Sequence, residues 1–150
     1  MRIALFEPDI PQNTGNIFRL SACLDIKVEL IGPMGFVLDD KRLKRSAMDY
    51  YKFINFNEHI DWKNFYSWSV KNEYRIILIT TKGNKKYISY EFRDNDIILF
   101  GSETSGVPKF VHELANERLY IPMKKGLRSL NLSSSVAIVI GEAKRQLNFF

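Results

Sequence analysis

Four short, predominantly apolar runs constrain the fold of this chain more than any other feature. They occupy residues 3–6, 28–31, 76–81 and 97–100, and most of their members are branched aliphatic residues. Each run is continuous rather than alternating, a pattern typical of strands that are buried on both faces of a parallel sheet. Because parallel strands are joined by long crossovers, usually helices, the runs predict an α/β fold.

Three segments between or after these runs carry apolar residues at helical spacing. A first helix is predicted to begin near Asn13 or Thr14, either of which could cap it, and a second is centred on Phe65. The third is the clearest, and its apolar face consists of Leu132, Val136, Val139, Ile140, Ala143 and Leu147. Lys144 is expected to lie off that face, with its charged neighbours. Strands that alternate with helices predict a mostly parallel sheet with helices on both faces.

The length of 150 residues suits one domain, predicted to span residues 1–150. The longest aliphatic run, residues 136–140, is much shorter than the roughly 20 residues that span a bilayer. The apolar start ends at Glu7, before a secretory signal could form. We therefore expect a soluble, cytoplasmic protein without membrane contact. Cys23 is the only cysteine, and His59 and His112 stand alone, so neither an intrachain disulfide nor a metal centre is predicted.

Polar, glycine-bearing loops follow the predicted strands. They comprise residues 7–16, 101–108 and 121–135. In open α/β sheets, ligands bind at the carboxyl ends of the strands, so these loops predict a nucleotide-type site. Gly101 and Gly106 have the spacing of a phosphate-binding loop, but Val107 and Pro108 replace its lysine and hydroxyl residue. The sequence also lacks the dinucleotide fingerprint and the hydrolase nucleophile elbow, so triphosphate, dinucleotide and hydrolase chemistry are disfavoured.

Three sequence motifs follow one another along the chain. They read NTGNIFR at residues 13–19, LFGSETSGVP at residues 99–108, and IPM with RSLNLS at residues 121–123 and 128–133. Together they resemble the motifs of SPOUT-class RNA 2′-O-methyltransferases. Three further segments read FEP with IP at residues 6–8 and 10–11, DDKRL at residues 39–43 and TTKG at residues 80–83. These are similar to the small tRNA branch of that class, which methylates the ribose of the anticodon wobble nucleotide.

The resemblance implies a parallel α/β sheet whose C-terminal part forms a deep trefoil knot. It also implies S-adenosyl-L-methionine as the cofactor, bound in a bent shape by the knot loops and without a metal. The cofactor-binding residues that it implies are Ile79, Thr80, Gly101, Glu103, Gly106, Ile121, Met123, Ser129 and Leu130. Glycine suits two of these positions, because backbone without a Cβ can approach a ligand closely.

The resemblance also implies a catalytic set for attack by a ribose hydroxyl. Its members are Arg19, Asn13, Glu103, Ser129 and Asn131. In the family, Arg19 would assist deprotonation, but a guanidinium holds its proton too tightly to be a good base. Orientation of the ribose, or stabilisation of developing negative charge, is the alternative. Asn13 could instead cap the first helix, and Ser129 and Asn131 could cap the last. Glu103 could be an anion at a helix start, or it could hydrogen-bond Arg19 or the cofactor.

Basic residues and one apolar helix face point to partners. The chain carries 22 Lys and Arg against 17 Asp and Glu, a formal net charge of +5, which suits RNA, although clustered cations are commonly plain solvated surface. The predicted RNA-binding residues are Arg42, Arg45, Lys82, Lys124 and Arg128. The resemblance implies a tRNA anticodon stem-loop lying across a homodimer. The last helix, with Leu147, Phe149 and Phe150 at its end, predicts a contact through the first and last helices, with Arg19 near the boundary.

The sequence departs from the family's pattern at a few positions. Ser105 stands where arginine is usual, and Ser134 stands where asparagine is usual. In the last helix, Gly141 and Lys144 flank Glu-Ala in place of the family's aromatic residues. These positions are expected to touch substrate RNA or the partner subunit. One rival function is the same chemistry on ribosomal RNA. The other is a non-catalytic RNA-binding module, and such a module would not need Arg19 or Glu103.

Overall fold

A sheet forms the centre of the molecule. The structure, a computed structural model, describes residues 1–148 of the chain. Within them, seven strands form one sheet in which every pairing is parallel. The strands are β1 (Arg2–Phe6), β2 (Lys27–Ile31), β3 (Phe56–His59), β4 (Arg75–Ile79), β5 (Lys85–Lys86), β6 (Asp96–Phe100) and β7 (Glu117–Tyr120). Their spatial order is β3-β2-β1-β6-β4-β7-β5. The predicted parallel sheet is confirmed.

Helices cover both faces of the sheet, as predicted. They are α1 (Pro11–Cys23), α2 (Lys41–Ala47), α3 (Trp62–Lys71), α4 (Lys109–Leu114) and α5 (Leu132–Gln146), with 3-10 turns at Met48–Phe53 and Tyr87–Ser89. One core lies between the sheet and α1, α2 and α5, where Phe18, Leu43 and Val139 are fully buried. The other lies against α3 and α4, where Phe65 and Val111 are fully buried. No helix within the described residues is long and apolar enough to cross a membrane.

The four predicted strands are confirmed as β1, β2, β4 and β6, whose residues are almost all buried. The four apolar runs do not include β3, β5 or β7, in which fewer residues are buried. β5 consists of Lys85 and Lys86 alone, both exposed, at one edge of the sheet. Continuous apolar runs therefore identify the centre of a parallel sheet better than its edges.

The start of the first helix differs from the prediction. α1 begins at Pro11, and Ile10 precedes it without a side-chain cap. Proline is suited to the first turn, because its φ is already helical and its missing N–H would have no partner there. Asn13 and Thr14 therefore lie inside the helix, where both are buried. The prediction that one of them caps this helix is wrong.

α5 confirms most of the predicted apolar face and corrects one residue. The fully buried members are Val136, Val139, Ile140 and Ala143. Leu132 and Leu147 are partly buried. Lys144, expected off this face, is only 5% exposed, because the buried sector of α5 is wider than its apolar stripe and a lysine's aliphatic stem can line the margin. Phe149 and Phe150, the remainder of the predicted apolar end, lie outside the described residues.

A buried carboxylate joins β1, β2 and β3. Glu29 is fully buried; its Oε1 accepts from Arg2 Nη1 at 2.7 Å, and its Oε2 accepts from Asn57 Nδ2 at 3.1 Å. The same Oε2 lies 2.8 Å from His59 Nε2. Arg2 also lies over the ring of Tyr74, 5.0 Å from its centroid. Because the carboxylate is paired and hydrogen-bonded, its burial leaves no uncompensated charge.

Replacement of Ile98 by alanine tests the central packing. Ile98 is fully buried in β6, between β1 and β4. I98A should lower the free energy of unfolding, measured by chemical denaturation, by about 2–5 kcal/mol. Ile60 is 77% exposed and gives a matched control. I60A should change the free energy of unfolding by less than about 0.5 kcal/mol, and equal losses in the two variants would contradict the described burial.

Candidate active site

One cleft of about 590 Å³ opens at the carboxyl ends of β4 and β6 and beside the segment that follows β7. The starts of α1 and α5 complete its walls. Open α/β sheets bind ligands at this edge, and small-molecule sites commonly measure roughly 300–1,000 Å³. The lining mixes apolar side chains, such as Ile79 and Leu130, with amide, hydroxyl and charged groups. The cleft therefore suits a ligand with both an apolar and a polar part.

Most of the predicted site residues line this cleft. They are Asn13, Ile79, Thr80, Lys82, Gly101, Glu103, Gly106, Ile121, Met123, Arg128, Ser129, Leu130 and Asn131. Lys124 lines an adjoining groove instead. Arg19 lies on α1, and Arg42 and Arg45 lie on α2, away from the cleft lining. The structure thus brings residues of all three sequence motifs together and leaves these four basic residues outside.

The loop after β6 is closed by its own backbone. Ser102 and Gly106 exchange two backbone hydrogen bonds, with N···O distances of 3.0 and 2.9 Å. A Cβ on Gly101 would lie 2.6 Å from the carbonyl carbon of Gly106, which is too close for any side chain. Gly106 has a φ of +67°, in the left-handed region that glycine adopts without strain. The two glycines therefore let bare backbone form this wall of the cleft.

A series of amide and carboxylate groups connects the three motifs. Glu103 Oε1 accepts from Asn13 Nδ2 at 3.1 Å, and Asn13 Oδ1 accepts from Asn131 Nδ2 at 2.9 Å. Asn131 also caps α5, since its Oδ1 accepts from the backbone N–H of Ser134 at 3.3 Å. The predicted capping role of Asn131 is confirmed. This polar relay, Glu103–Asn13–Asn131, links the loop after β6 to the starts of α1 and α5.

Glu103 also accepts hydrogen bonds from backbone N–H groups at the start of α1. Its Oε2 accepts from Asp9 N at 2.8 Å, and its Oε1 accepts from Ile10 N at 3.3 Å. A carboxylate is favoured at a helix start by the unpaired N–H groups and by the positive end of the helix dipole. The interpretation of Glu103 as an anion at a helix start is confirmed. Within the described residues, no hydrogen bond joins it to Arg19.

Asp9 is a second anchor of the same loop. Its Oδ2 accepts from the hydroxyl groups of Ser102 and Thr104 and from the backbone N–H of Thr104. Hydrogen bonds from Ser102 and then Thr104 hold the pKa of Asp9 below its usual value, so the carboxyl is ionised at neutral pH. Asp9 and Ser102 are 93 residues apart along the chain, so only the fold reveals the pairing.

Lys82, Arg128 and His112 add basic side chains to the cleft lining. Burial lowers the pKa of His112, and the charges of Lys82 and Arg118 lower it further. The imidazole is therefore neutral at neutral pH, because an unperturbed histidine already has a pKa of about 6.5. His112 stands alone in the sequence, and only the position of α4 brings it to the cleft.

Across residues 1–148, no cluster of three or more His, Cys, Asp or Glu side chains could hold a metal ion.

Arg19 does not line the cleft. It is exposed on α1, about 9 Å farther along the helix axis than Asn13. Its Nη1 donates to Met48 Sδ at 3.2 Å, and its guanidinium carbon is 5.4 Å from the centroid of the Tyr50 ring. In one copy of the chain, therefore, the predicted catalytic arginine and the polar relay occupy separate places.

The chain resembles known proteins along nearly its whole length. The SpoU rRNA methylase family model matches residues 1–141 of the chain. The chain belongs to the SpoU rRNA methylase family. The 2′-O-methyltransferase class recognised from the sequence motifs is thereby confirmed. This SpoU family member is 40% identical over 151 residues to a tRNA (cytidine(34)-2′-O)-methyltransferase of Escherichia coli K12, and the match covers 99% of this chain and 95% of the relative.

Solved structures share the fold of this SpoU family member. A structure from a study of the 2-OH methylation of C/U34 on tRNA has a TM-score of 0.92 at 36% identity, covering 98% of this chain and 95% of that one. The SpoU methyltransferase AviRb of Streptomyces viridochromogenes, in complex with the cofactor AdoMet, has a TM-score of 0.91 at 20% identity. That match covers 99% of this chain and 58% of AviRb, and it shows the fold alone.

Gly101→Ala tests the backbone wall of the cleft. The new Cβ would collide with the Gly106 backbone rather than with a flexible side chain, so the loop must open. G101A should lower the free energy of unfolding by about 1–3 kcal/mol, measured by chemical denaturation. Ser105→Ala, at an exposed position of the same loop, should change it by less than about 0.5 kcal/mol. A G101A protein as stable as S105A would show that the loop does not need glycine at this position.

Proposed function

We propose that this SpoU family member transfers a methyl group from S-adenosyl-L-methionine to the ribose 2′-hydroxyl of the tRNA wobble nucleotide, cytidine or 5-carboxymethylaminomethyluridine at position 34. The observation that carries the proposal is the convergence of three motifs on one cleft, joined by Glu103, Asn13 and Asn131. Relatives that are 40% identical over nearly the whole chain bear the name of this reaction on cytidine 34, which supports the same substrate here.

The cleft suits S-adenosyl-L-methionine by size and chemistry. Ile79 and Leu130 offer apolar surface to a purine ring, and Ser129 and Asn131 offer polar groups. The backbone wall at Gly101 can approach a ligand closely, because no side chain intervenes. When bound, the cofactor supplies a methyl group activated by a positively charged sulfur. The AdoMet complex of AviRb, which has the same fold, supports this choice of cofactor.

The side chains of the protein have to orient the ribose and stabilise the charge that develops on its 2′-oxygen. Correct positioning can contribute much of the rate enhancement of such a displacement. We assign charge stabilisation to Arg19, because a guanidinium carries several N–H donors that can bind an alkoxide or a neighbouring phosphate. Asn13, Ser129 and Asn131 are proposed to contact ribose or cofactor. Glu103 accepts three hydrogen bonds within the described residues, so it orders Asn13 rather than moving a proton.

The exposed position of Arg19 supports a site shared between two copies of the chain. Because Arg19 does not line the cleft of its own chain, we propose that it completes the cleft of a second copy. The contact would use α1 and α5, which lie side by side in one copy. α5 leaves Ala137 and Ile138 exposed for such a contact. A two-fold symmetric dimer would place each Arg19 at the subunit boundary.

The predicted RNA-binding residues are proposed to hold the anticodon stem-loop. Lys82 and Arg128 line the cleft, and Lys124 borders the adjoining groove. Arg42 is paired with Asp40 at 2.8 Å, so an RNA phosphate has to compete with that carboxylate. Cations that contact phosphates make binding weaken with salt, which distinguishes them from plain surface charge. A tRNA substrate places the proposed activity in the cytoplasm.

A deep trefoil knot is part of the proposal. Residues of the segment between β7 and α5 line the same cleft as the loops after β4 and β6. The chain then returns in α5 to pack against α1. Knotted chains are very rare, but a knot at this place would restrain all three loops that form the cofactor site.

Mass spectrometry of tRNA nucleosides tests the proposed activity. tRNA from cells that contain the protein should carry a ribose-methylated nucleotide at position 34, and tRNA from cells without it should not. The purified protein should restore the modification with S-adenosylmethionine and no added metal. Loss of ribose methylation from ribosomal RNA instead would overturn the tRNA assignment. Unchanged methylation in both RNAs would favour a non-catalytic binding module.

Arg19→Ala tests catalysis and the shared site together. R19A should fold and bind S-adenosylmethionine as the wild type does, but it should transfer methyl groups at least about a hundredfold more slowly.

Light scattering of the wild-type protein should give twice the 17.5 kDa chain mass. Co-expressed mixed dimers of R19A and N13A should regain activity, because one of their two sites keeps both an intact cleft and Arg19. An active monomer, or mixed dimers without activity, would contradict the shared site.

A further inference from the structure

We propose that Tyr50 and Met48 are positioning residues for Arg19: the ring of Tyr50 supports the guanidinium, and the sulfur of Met48 sets its rotation. Neither residue belongs to the three sequence motifs. The inference rests on the proposed function for what Arg19 does in methyl transfer. The contacts that hold Arg19 are present in the chain whatever that function is.

The head group of Arg19 is held on two sides. Its guanidinium carbon is 5.4 Å from the Tyr50 ring centroid, within the range of a cation–π contact. Its Nη1 donates to Met48 Sδ at 3.2 Å, and a thioether is only a weak acceptor. No other hydrogen bond of Arg19 is found across residues 1–148. Its remaining N–H groups are therefore open to oxygen atoms of a substrate.

The turn that carries Met48 and Tyr50 is constrained by the packing of α2. Met48 follows α2 with a φ of 55° and a ψ of −147°, a conformation that methionine rarely adopts. α2 cannot shift to relieve this strain, because Leu43 and Ala47 are fully buried in the core shared with α1. Such strain persists only where the surrounding structure dictates it. Here the result is a methionine sulfur that contacts Arg19.

An exposed catalytic arginine benefits from this kind of support. A long side chain loses rotamer freedom when it is ordered, and ordering it before RNA binds removes that loss from the transfer step. A carboxylate could also order Arg19, but its negative charge would compete with the substrate oxygen. An aromatic face and a thioether order the guanidinium without neutralising it. Tyr50 and Met48 therefore leave the charge of Arg19 available.

Direct stacking of an RNA base on Tyr50 is the alternative use of this ring. Aromatic rings stack unpaired bases in many RNA-binding proteins. Arg19 already lies over the Tyr50 ring, and Tyr50 itself is partly buried, so a base would compete with the guanidinium. Positioning predicts a lower kcat at an unchanged KM for tRNA, whereas stacking predicts a higher KM. The contacts favour positioning.

Tyr50→Leu separates these possibilities by kinetics. Y50L keeps an apolar side chain but loses the aromatic face, so kcat should fall by about two- to fivefold while KM for tRNA stays the same. Tyr50→Phe should restore most of the rate. In an R19A background, Y50L should cause no further loss, because the group that it positions is absent. A raised KM for tRNA, or a full additional loss on R19A, would overturn the proposal.

Tyr74→Leu is the matched control. It removes a cation–π contact of similar length, 5.0 Å from Arg2, at a position just before β4 and away from the cleft. It also removes the hydrogen bond that Arg2 Nε donates to the Tyr74 hydroxyl at 2.9 Å, so it disturbs the packing at least as much as Y50L does. Y74L should leave kcat unchanged. An equal fall of kcat in Y74L and Y50L would mean that general destabilisation explains both, which would overturn the positioning role.

Nitrogen-15 NMR of the arginine side chains gives a readout that needs no activity. The Arg19 Nε–Hε resonance should be displaced by the ring current of Tyr50 in the wild type and in Y74L, and it should lose that displacement in Y50L. Met48→Leu should speed rotation of the guanidinium without abolishing the ring-current shift. An Arg19 resonance that does not move in Y50L would overturn the positioning. A wild-type protein with the shifted resonance and no methyl transfer would overturn the proposed function alone.

Discussion

The carboxylate of Glu103 holds together segments that are far apart along the chain. It accepts from the backbone N–H groups of Asp9 and Ile10 and from the amide of Asn13, and Asn13 passes the connection to Asn131. Each of these groups has a partner, so the network can lie partly buried without a large desolvation penalty. These hydrogen bonds connect the loop after β6 to the start of α1, and the start of α1 to that of α5. All three side chains of the polar relay line the cleft.

The cleft and the surface around Arg19 are built from different kinds of groups. The cleft is built from bare backbone at Gly101, short polar side chains and aliphatic walls, all anchored at the ends of buried strands. Arg19 is a long cation on an exposed helix surface, and aromatic and sulfur contacts hold it in place. A site assembled from both parts would be complete only when two copies meet. Such an arrangement would couple methyl transfer to assembly.

Sequence patterns predict the buried centre of this molecule better than its contacts between distant segments. Continuous apolar runs identify the central strands because those strands bury both faces, and motif resemblance locates most of the cleft because the motifs lie on loops at strand ends. The rule for helix caps misplaces the start of α1, since Pro11 begins the helix earlier. Helical periodicity treats Lys144 as exposed although its stem is buried. Asp9 escapes detection because its partner Ser102 is distant in sequence, and His112 escapes it because only the position of α4 brings it to the cleft.

The short strand β5 limits how copies of this chain can associate. One edge of the sheet ends in two residues, Lys85 and Lys86, both exposed and both charged. An incoming strand would find almost no backbone to pair with there and would have to lie against two ammonium groups, a combination that blocks edge-to-edge aggregation. At the opposite edge, β3 exposes the carboxylate of Glu58. Strand addition is therefore disfavoured at both edges of the sheet.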